Sequence, residues 1–343
     1  MVPPVRILLL GFAFLLGAIR VSPAQTSLSL TDYWNTNAVW VSDADNIGRP
    51  FGFHFLSTIT NGPEIWAYYI NNHRGTSGAM KSGTGLARSR DGIHWSNDGI
   101  VMDVGSETSW DDRLASFPGI WKDGRTWYLV YEGAAEDIPF SPGDIGLATS
   151  TNGIDFVKQS KPILRHDTSG WEQVNIGTPS LFKENDTWYL FYHGFDGTHV
   201  RIGVASGSSL TNLAKATANP VLTPNQGASA WDGGTIGKRS AIVKEGSCYY
   251  FAFEGSTAQP FDHAKWSSGL ARTTNLTNTW TEFPSNPVIL QTTGGFGFDG
   301  PELLQISNVW YMYVRTSGET APTKRFRLIA RETGPLRMGH SPK

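Results

Sequence analysis

Five polar residues follow one another at a fixed spacing of 61 along this chain of 343 residues. They are Asn71, Glu132, His193, Glu254 and Arg315. Carboxyl and imidazole groups transfer protons when their surroundings shift their pKa values toward neutrality, and amide and guanidinium groups hydrogen-bond polar ligands. If the spacing reflects a structural repeat, the five side chains occupy equivalent positions and form one ring of acid–base and binding groups.

Further candidates are charged residues at positions where the other repeats carry a different kind of side chain. At the same spacing, Asp299 aligns with Phe55, Ser116, Gly177 and Lys238, and Glu302 aligns with Thr58, Gly119, Ser180 and Ala241. Asp112-Arg113 and Arg239 also have no counterpart of their type in the repeats beside them. By contrast, an acid after a Trp recurs in three repeats, and we expect these three acids to cap loops: Asp111, Glu172 and Asp232.

The elements that carry these residues repeat five times. An aromatic residue marks each unit, which we number 1 to 5: Trp66, Trp127, Trp188, Tyr249 and Trp310. In each unit an apolar run, a short polar turn and an aromatic run predict a hairpin, and a Gly-Leu-Ala-like segment and a short apolar segment predict two more strands. The chain is therefore predicted to be all-β, a five-bladed β-propeller of four-stranded antiparallel blades.

The fifth unit lacks its fourth strand, and we expect the segment around Ser27 to Val41 to supply it and close the ring. The first strands of a propeller line its central channel. The second strands return to the face at which the first strands begin, so the polar column and the loops leading into the first strands meet there. A polar cluster at the mouth of a channel predicts a binding or catalytic site.

The repeated motifs resemble those of the five-bladed propeller glycosidases, glycoside hydrolase families 32, 43, 62, 68, 117 and 130. The resemblance rests on the Pro-x-apolar strand, the Asp-Gly turn, the Trp-Tyr-x-x-Tyr-x-Gly strand and the Gly-Leu-Ala-x-Ser-x-Asp-Gly segment, and it covers nearly the whole mature chain. These motifs are common to the superfamily, so no single family is assigned. The resemblance implies hydrolysis of glycosidic bonds by carboxylates from different blades, on the channel axis.

Such hydrolysis requires one carboxylic acid to protonate the leaving oxygen and a second carboxylate to act as base or nucleophile. We assign these roles to Asp112 and Asp299, with Glu254 and Glu132 as alternates for the acid and Asp45 as a weaker candidate for the base. The residues expected to bind the sugar are Arg113, His193, Arg239, Arg315, Trp266 and Glu302.

The predicted substrate is an oligo- or polysaccharide of plant, algal or microbial origin, and its hydrolysis requires no cofactor. The resemblance also suggests a structural calcium ion near His193, because a histidine near the axis helps to hold an ion in some relatives. No dense loop of oxygen ligands accompanies His193, which favours a hydrogen-bonded histidine instead.

Composition limits the kinds of molecule that the chain binds and indicates the compartment in which it acts. The formal charge is −2 and no Lys/Arg-rich run is present, which excludes a nucleic-acid footprint. Arg6, an apolar stretch over residues 7–18 and Ser22-Pro23-Ala24 predict a signal peptide over residues 1–24. Its removal leaves one domain, residues 25–343, that is secreted or periplasmic and has no membrane contact. Cys248 is the only cysteine, so no intramolecular disulfide forms.

Two other functions fit the same residues. A non-catalytic sugar-binding propeller also explains the aromatic residues and the polar ring. A polysaccharide lyase requires a His or Tyr base and an Arg that neutralises a uronate, for which His193, Arg239 and Arg315 are available. The density of carboxylates on one face favours the hydrolase.

Overall fold

The computed structural model describes residues 30, 36–44, 57–75, 78–135, 143–225, 230–258, 264–291, 297–315 and 323–330. Within these ranges the chain forms strands and no α-helix, which confirms the prediction of an all-β propeller. The same ranges contain no helix of the length and apolar character that a membrane span requires. The predicted signal peptide and Asp45 lie outside the described residues.

The strands group by unit. Unit 1 contains β2 (Ser57–Asn61), β3 (Glu64–Arg74), β4 (Met80–Ser89) and β5 (Ser96–Met102), and unit 2 contains β6 (Leu114–Asp123), β7 (Thr126–Ala134), β8 (Asp144–Ser150) and β9 (Val157–Lys158). Unit 3 contains β10 (Asn175–Glu184), β11 (Thr187–Phe195), β12 (Val200–Ser209) and β13 (Asn212–Lys215). Unit 4 contains β14 (Thr235–Arg239) and β15 (Val243–Glu245), which together form its first strand, then β16 (Cys248–Ser256), β17 (Ser267–Thr273) and β18 (Thr281–Glu282). Unit 5 contains β19 (Asp299–Ile306), β20 (Val309–Arg315) and β21 (Thr323–Ala330).

The N-terminal strand completes the last unit, as the sequence predicts. Strand β1 (Thr36–Ala44) pairs antiparallel with β21, from Thr36 opposite Ala330 to Ala44 opposite Thr323. The resulting sheet has the order β1-β21-β20-β19. Because β1 covers the open edge of β21, unit 5 gains the fourth strand that its own sequence lacks.

The units follow one another around an axis formed by their first strands. Each first strand pairs with the second strand of its own unit, and the first strands of neighbouring units are in contact, including β19 of unit 5 with β2 of unit 1. A single parallel pairing, between Ser82 and Leu114, links the sheets of units 1 and 2. The ring therefore closes between the last unit and the first.

The core lies between neighbouring units and consists largely of aromatic rings. Trp66 stacks on Trp127 with ring centroids 5.1 Å apart, and Tyr128 contacts Trp188 at 4.9 Å. All five residues of the aromatic column are buried. Burying a large apolar side chain contributes about 1.5–3 kcal/mol, so this repeated contact between units is a main source of stability.

The glycine of the Gly-Leu-Ala segments is required by close packing against a tyrosine. A side-chain carbon added at Gly85 would lie 2.4 Å from the ring of Tyr69, and one at Gly146 would lie 2.3 Å from that of Tyr131. These distances are too short for any side chain, so the recurring glycine is explained by the fold and carries no chemistry.

Candidate active site

A β-bulge in the first strand of a unit turns the backbone toward the preceding unit. The register between first and second strands shifts between Ser116 and Gly119, between Gly177 and Ser180, and between Asp299 and Glu302. At the bulges Phe117, Thr178 and Gly300 have positive φ angles of 52°, 41° and 57°. A bulge leaves a backbone group unpaired in its own ladder, and the N–H groups of Thr178 and Gly300 bind side chains of the polar column.

Glu132 of β7 accepts the first of these bonds. Its Oε2 lies 2.9 Å from the backbone N of Thr178 in unit 3, and its Oε1 has no hydrogen-bond partner among the described residues. Burial raises the pKa of Glu132 to about 8, although the Thr178 N–H bond opposes this shift. Glu132 is therefore largely protonated at neutral pH.

Glu254 of β16 makes the same contact two units later. The backbone N of Gly300 in unit 5 donates to Oε2 at 2.5 Å, and the backbone N of Lys238 donates to Oε1 at 2.8 Å. Burial and the negative charge of the nearby Asp299 raise the pKa of Glu254 to about 7. A carboxyl group with this pKa can give up a proton near neutral pH.

Asp299 and Arg315 form an ion pair across β19 and β20. Arg315 donates from Nε to Oδ1 at 2.9 Å and from Nη2 to Oδ2 at 2.5 Å. Burial raises the pKa of Asp299, whereas the charges of Arg315 and Lys238 lower it. Among the described residues Glu254 accepts bonds from backbone N–H groups alone, whereas Asp299 is paired with a guanidinium. Asp299 is therefore the more acidic member of the pair, and the shared proton resides on Glu254.

His193 and Arg239 meet at the equivalent position between units 3 and 4. Nδ1 of His193 lies 2.9 Å from Oγ1 of Thr178, and Nη1 of Arg239 donates to the carbonyl oxygen of Thr178 at 2.9 Å. Loss of solvent, together with the charge of Arg239, lowers the pKa of His193 to about 3. His193 is therefore neutral at physiological pH, while burial lowers the pKa of Arg239 to about 9 and leaves it charged.

Glu302 joins three units at the axis. Its Oε1 accepts the backbone N–H of Thr58 in unit 1 at 3.2 Å, and its Oε2 accepts that of Ala241 in unit 4 at 3.3 Å. The Nζ of Lys238 lies 3.5 Å from the same Oε2. Both oxygens of Glu302 thus accept bonds from neighbouring units, as in a structural junction, and its predicted contact with sugar stays a prediction.

Three other predicted site residues have described contacts or burial of their own. Oδ2 of Asp112 accepts the backbone N–H of Thr108 at 3.0 Å within its own loop, and no described contact links it to Glu254 or Asp299. Arg113 is held by a backbone hydrogen bond to Ala134 at 3.1 Å. Trp266 is 5% exposed, which leaves little of its ring for stacking on a sugar. The structure thus brings the alternate Glu254 together with Asp299, whereas no described contact links Asp112 or Glu132 to that pair.

The recurring acids face the outer strands of their own units, as a structural role requires. Oδ2 of Asp111 contacts the Tyr131 hydroxyl at 3.0 Å and Nζ of Lys158 at 2.8 Å. Glu172 contacts Lys215 in the same way. We expected backbone N–H partners for these acids. Asp232 accepts the backbone N–H of Asn225 at 3.3 Å, whereas Asp111 and Glu172 bind side chains of the fourth strand.

Lys238 is an axis residue that the sequence reasoning missed. Its Nζ lies beside Glu302 and 3.3 Å from the carbonyl oxygen of Pro301, and burial lowers its pKa. The available signal was its alignment with Asp299, since it is the basic residue in that column.

No metal site is evident at the axis among the described residues, where no group of three or more His, Cys, Asp or Glu side chains is arranged to hold an ion. The hypothesis of a structural calcium ion beside His193 stays a prediction.

No protein-family profile matches the chain, and no curated protein matches it. Solved structures do. One described as a glycoside hydrolase is 16% identical, with a TM-score of 0.65 over 90% of this chain and 95% of that chain. A thermostable family-43 glycoside hydrolase is 16% identical, with a TM-score of 0.62 over 88% and 98%. A β-1,2-mannobiose phosphorylase from Listeria innocua is 11% identical, with a TM-score of 0.62 over 85% and 96%.

The chain has the fold of the propeller glycoside hydrolases. The resemblance inferred from the repeated motifs is confirmed at the level of the fold, and the assignment to one family remains open.

Proposed function

We propose that this protein is a glycoside hydrolase in which Glu254 is the general acid and Asp299 is the base or nucleophile. The observation that carries the proposal is the buried pair itself. Glu254 accepts the backbone N–H of Gly300, the residue after Asp299, and burial together with the charge on Asp299 raises the pKa of Glu254 to about 7. A pair of carboxyls whose surroundings separate their pKa values can divide the acid and base roles between them.

The proposed reaction uses the proton held by the pair. Glu254 transfers its proton to the glycosidic oxygen as the bond to the anomeric carbon breaks. The Asp299 carboxylate either attacks that carbon or removes a proton from the water that does so, and the stereochemistry of the product distinguishes the two routes. Arg315 keeps Asp299 ionised, and the N–H groups of Lys238 and Gly300 fix the orientation of the Glu254 carboxyl.

The fold supports a sugar substrate, since the proteins that share it include two glycoside hydrolases and a β-1,2-mannobiose phosphorylase. We further propose that the substrate is an extracellular oligo- or polysaccharide and that the chain is exported. The apolar stretch over residues 7–18 and Ser22-Pro23-Ala24 support export. N-terminal sequencing of the exported protein should give Gln25 as its first residue.

The test is a product screen against diverse oligo- and polysaccharides in heavy-oxygen water, read by mass spectrometry. The wild type should release sugar that carries the heavy oxygen, and Asp299→Asn should lower the rate at least about 1000-fold. Glu184→Gln is the matched control, because Glu184 lies at the hairpin turn of β10 and β11 and pairs with Lys244 and Tyr249. Its rate should equal that of the wild type.

The role of Glu254 has a separate readout. Glu254→Gln should lose most activity on natural glycosides but little on a dinitrophenyl glycoside, whose leaving group departs without a proton. Equal losses on both substrates would exclude Glu254 as the acid. Unsaturated products without heavy oxygen would instead identify a lyase, and sugar binding without turnover would identify a binding module.

A further inference from the structure

Arg239 is a buried cation with an incomplete set of partners. It is 2% exposed, and Nη1 donates to the carbonyl oxygen of Thr178. Nε and Nη2 have no hydrogen-bond partner among the described residues. A buried guanidinium without a carboxylate partner is costly, so such groups are normally paired or reserved for a ligand. The acid whose charge acts on Arg239 is Glu302, and its oxygens already accept bonds from Thr58 and Ala241.

The two unpartnered nitrogens share one edge of the guanidinium. Nε–H and Nη2–H point in parallel, and this edge binds a planar carboxylate through two hydrogen bonds. The same molecule contains an example, because Arg315 uses its Nε and Nη2 to bind the two oxygens of Asp299. Arg239 presents the same donor edge, but the protein places no carboxylate there among the described residues.

The surroundings of Arg239 favour an anion. His193 is neutral at physiological pH, and Glu132, whose Oε1 also lacks a described partner, is largely protonated. The Phe191 ring, 5.8 Å from the guanidinium carbon, provides an apolar wall. His193 and Glu132 therefore add no charge that offsets Arg239, and Glu302, the acid that does act on it, already accepts bonds from Thr58 and Ala241. A charge-assisted pair is strong in surroundings of such low polarity.

We propose that Arg239 binds the carboxylate of an acidic sugar, so that substrates carry a uronic acid in the ring bound at the axis. This inference rests on the proposed function for the statement that the ligand is a sugar. Arg239 acts as a specificity-determining residue, and Glu254 and Asp299 perform the reaction on the bond beside it.

Binding is tested first, with sugars that differ only in the carboxylate. Thermal unfolding and calorimetric titration compare glucuronate with glucose, galacturonate with galactose, and mannuronate with mannose. At least one uronate should bind the wild type about 100-fold more tightly than its neutral partner, because a buried polar site rejects a ligand that leaves it unpaired. Equal affinity for both members of every pair would overturn the inference.

The variants separate charge from geometry. Arg239→Met should abolish the preference and leave affinity for the neutral sugar within about 3-fold, and Arg239→Lys, which keeps the charge without the fork, should lose about 10-fold on the uronate. Arg88→Met is the matched control, since Arg88 lies on the third strand of unit 1 and pairs with Asp98. This variant should keep the preference for the uronate. A preference that survives in Arg239→Met would also overturn the inference.

If the variants do not fold, nitrogen-15 NMR of the wild type provides the answer. The Arg239 Nε–H resonance should shift with a uronate and not with the neutral sugar, and an unchanged resonance at saturating uronate contradicts the proposal.

The hydrolase proposal and the uronate proposal are contradicted by different results. Hydrolysis of neutral and acidic glycosides at equal rates removes the inference and leaves the hydrolase. Uronate binding that depends on Arg239, without turnover of any glycoside, removes the hydrolase and leaves the inference.

Discussion

Arg315 binds both carboxylate oxygens of Asp299, the residue directly opposite it across the β19–β20 pair. The contact joins the two ends of one hairpin at the axis. It places a fixed positive charge beside Asp299, while the donors to Glu254 from the described part of the chain are backbone N–H groups. Unit 5 therefore favours the ionised form of Asp299, and unit 4 favours the protonated form of Glu254.

Replacing Arg315 tests this division. In Arg315→Met the pKa of Asp299 should rise, since burial remains and the nearest cation is lost. Asp299 must be ionised to act. As the pH falls, the variant should therefore lose activity earlier than the wild type does. The acidic limb of its pH–rate profile should lie about one pH unit or more higher. Arg325→Met, on β21 over the Tyr311 ring, is the control. An unchanged acidic limb would contradict the assignment.

Glu132 should make the protein less stable in alkali. The pKa of Glu132 is about 8 in the folded protein and 4.5 in the unfolded chain, so the folded state holds one proton more than the unfolded state between these pH values. Its contribution to stability is complete below about pH 4.5 and is lost as the pH rises through 8. Glu132→Gln should therefore lie within about 1 kcal/mol of the wild type in urea unfolding at pH 5 and gain about 4 kcal/mol relative to it by pH 9. Parallel pH curves for the two proteins would contradict this.

Removing the carboxylate of Glu302 should destabilise the ring. Glu302→Ala leaves the ammonium of Lys238 buried without its anion, and the backbone N–H groups of Thr58 and Ala241 without an acceptor. The expected cost is about 3–5 kcal/mol in urea unfolding. Adding Lys238→Met should recover part of this loss, because the isolated charge is then removed. A double variant no more stable than Glu302→Ala would show that the ion pair contributes little.

Unit 4 offers a stabilising substitution. Its fourth strand carries Glu282 where units 2 and 3 carry Lys158 and Lys215, each opposite the equivalent alanine of the third strand. Burial and the charge of Asp232 raise the pKa of Glu282 to about 8, so two acids share a proton there.

Glu282→Lys restores the ion pair of the other units. The shared proton of the wild type is lost as the pH rises through 8, so the variant should gain about 1–2 kcal/mol over the wild type at pH 9 and less at pH 6. Thermal unfolding at the two pH values is the measurement. Lys158→Glu in unit 2 is the reciprocal control and should lower stability at pH 9.

Much of the fold could be predicted because the repeat constrains it. The aromatic column and the turns recur five times, so each unit supports the interpretation of the others, and the missing strand of unit 5 predicts its replacement by β1. The boundary of β1 was less accurate, since Thr36–Ala44 begins later than the predicted Ser27–Val41.

The site was predicted less well, because spacing gives equivalent positions and not the direction of a contact. Glu132 and Glu254 share a column, and both contact the bulge of the next unit. Of these two carboxyl groups, Glu254 alone has its pKa raised by the charge of Asp299. Asp112 has the right chemistry but lies in a loop that uses its oxygen to bind Thr108. A pattern of residue types alone does not show which carboxylate is already occupied.

The pairing of β1 with β21 has a consequence for how the chain is made. Among the described strands β1 is synthesised first and β21 last, so the partner of β1 does not exist until all the other described strands have been made. The pairing that closes the ring therefore forms only in a chain long enough to contain β21. A chain that terminates before residue 323 presents the bare edge of β20 and an unpartnered β1, both of which expose backbone groups to other chains. Closure of the ring is thereby coupled to translation through residue 330.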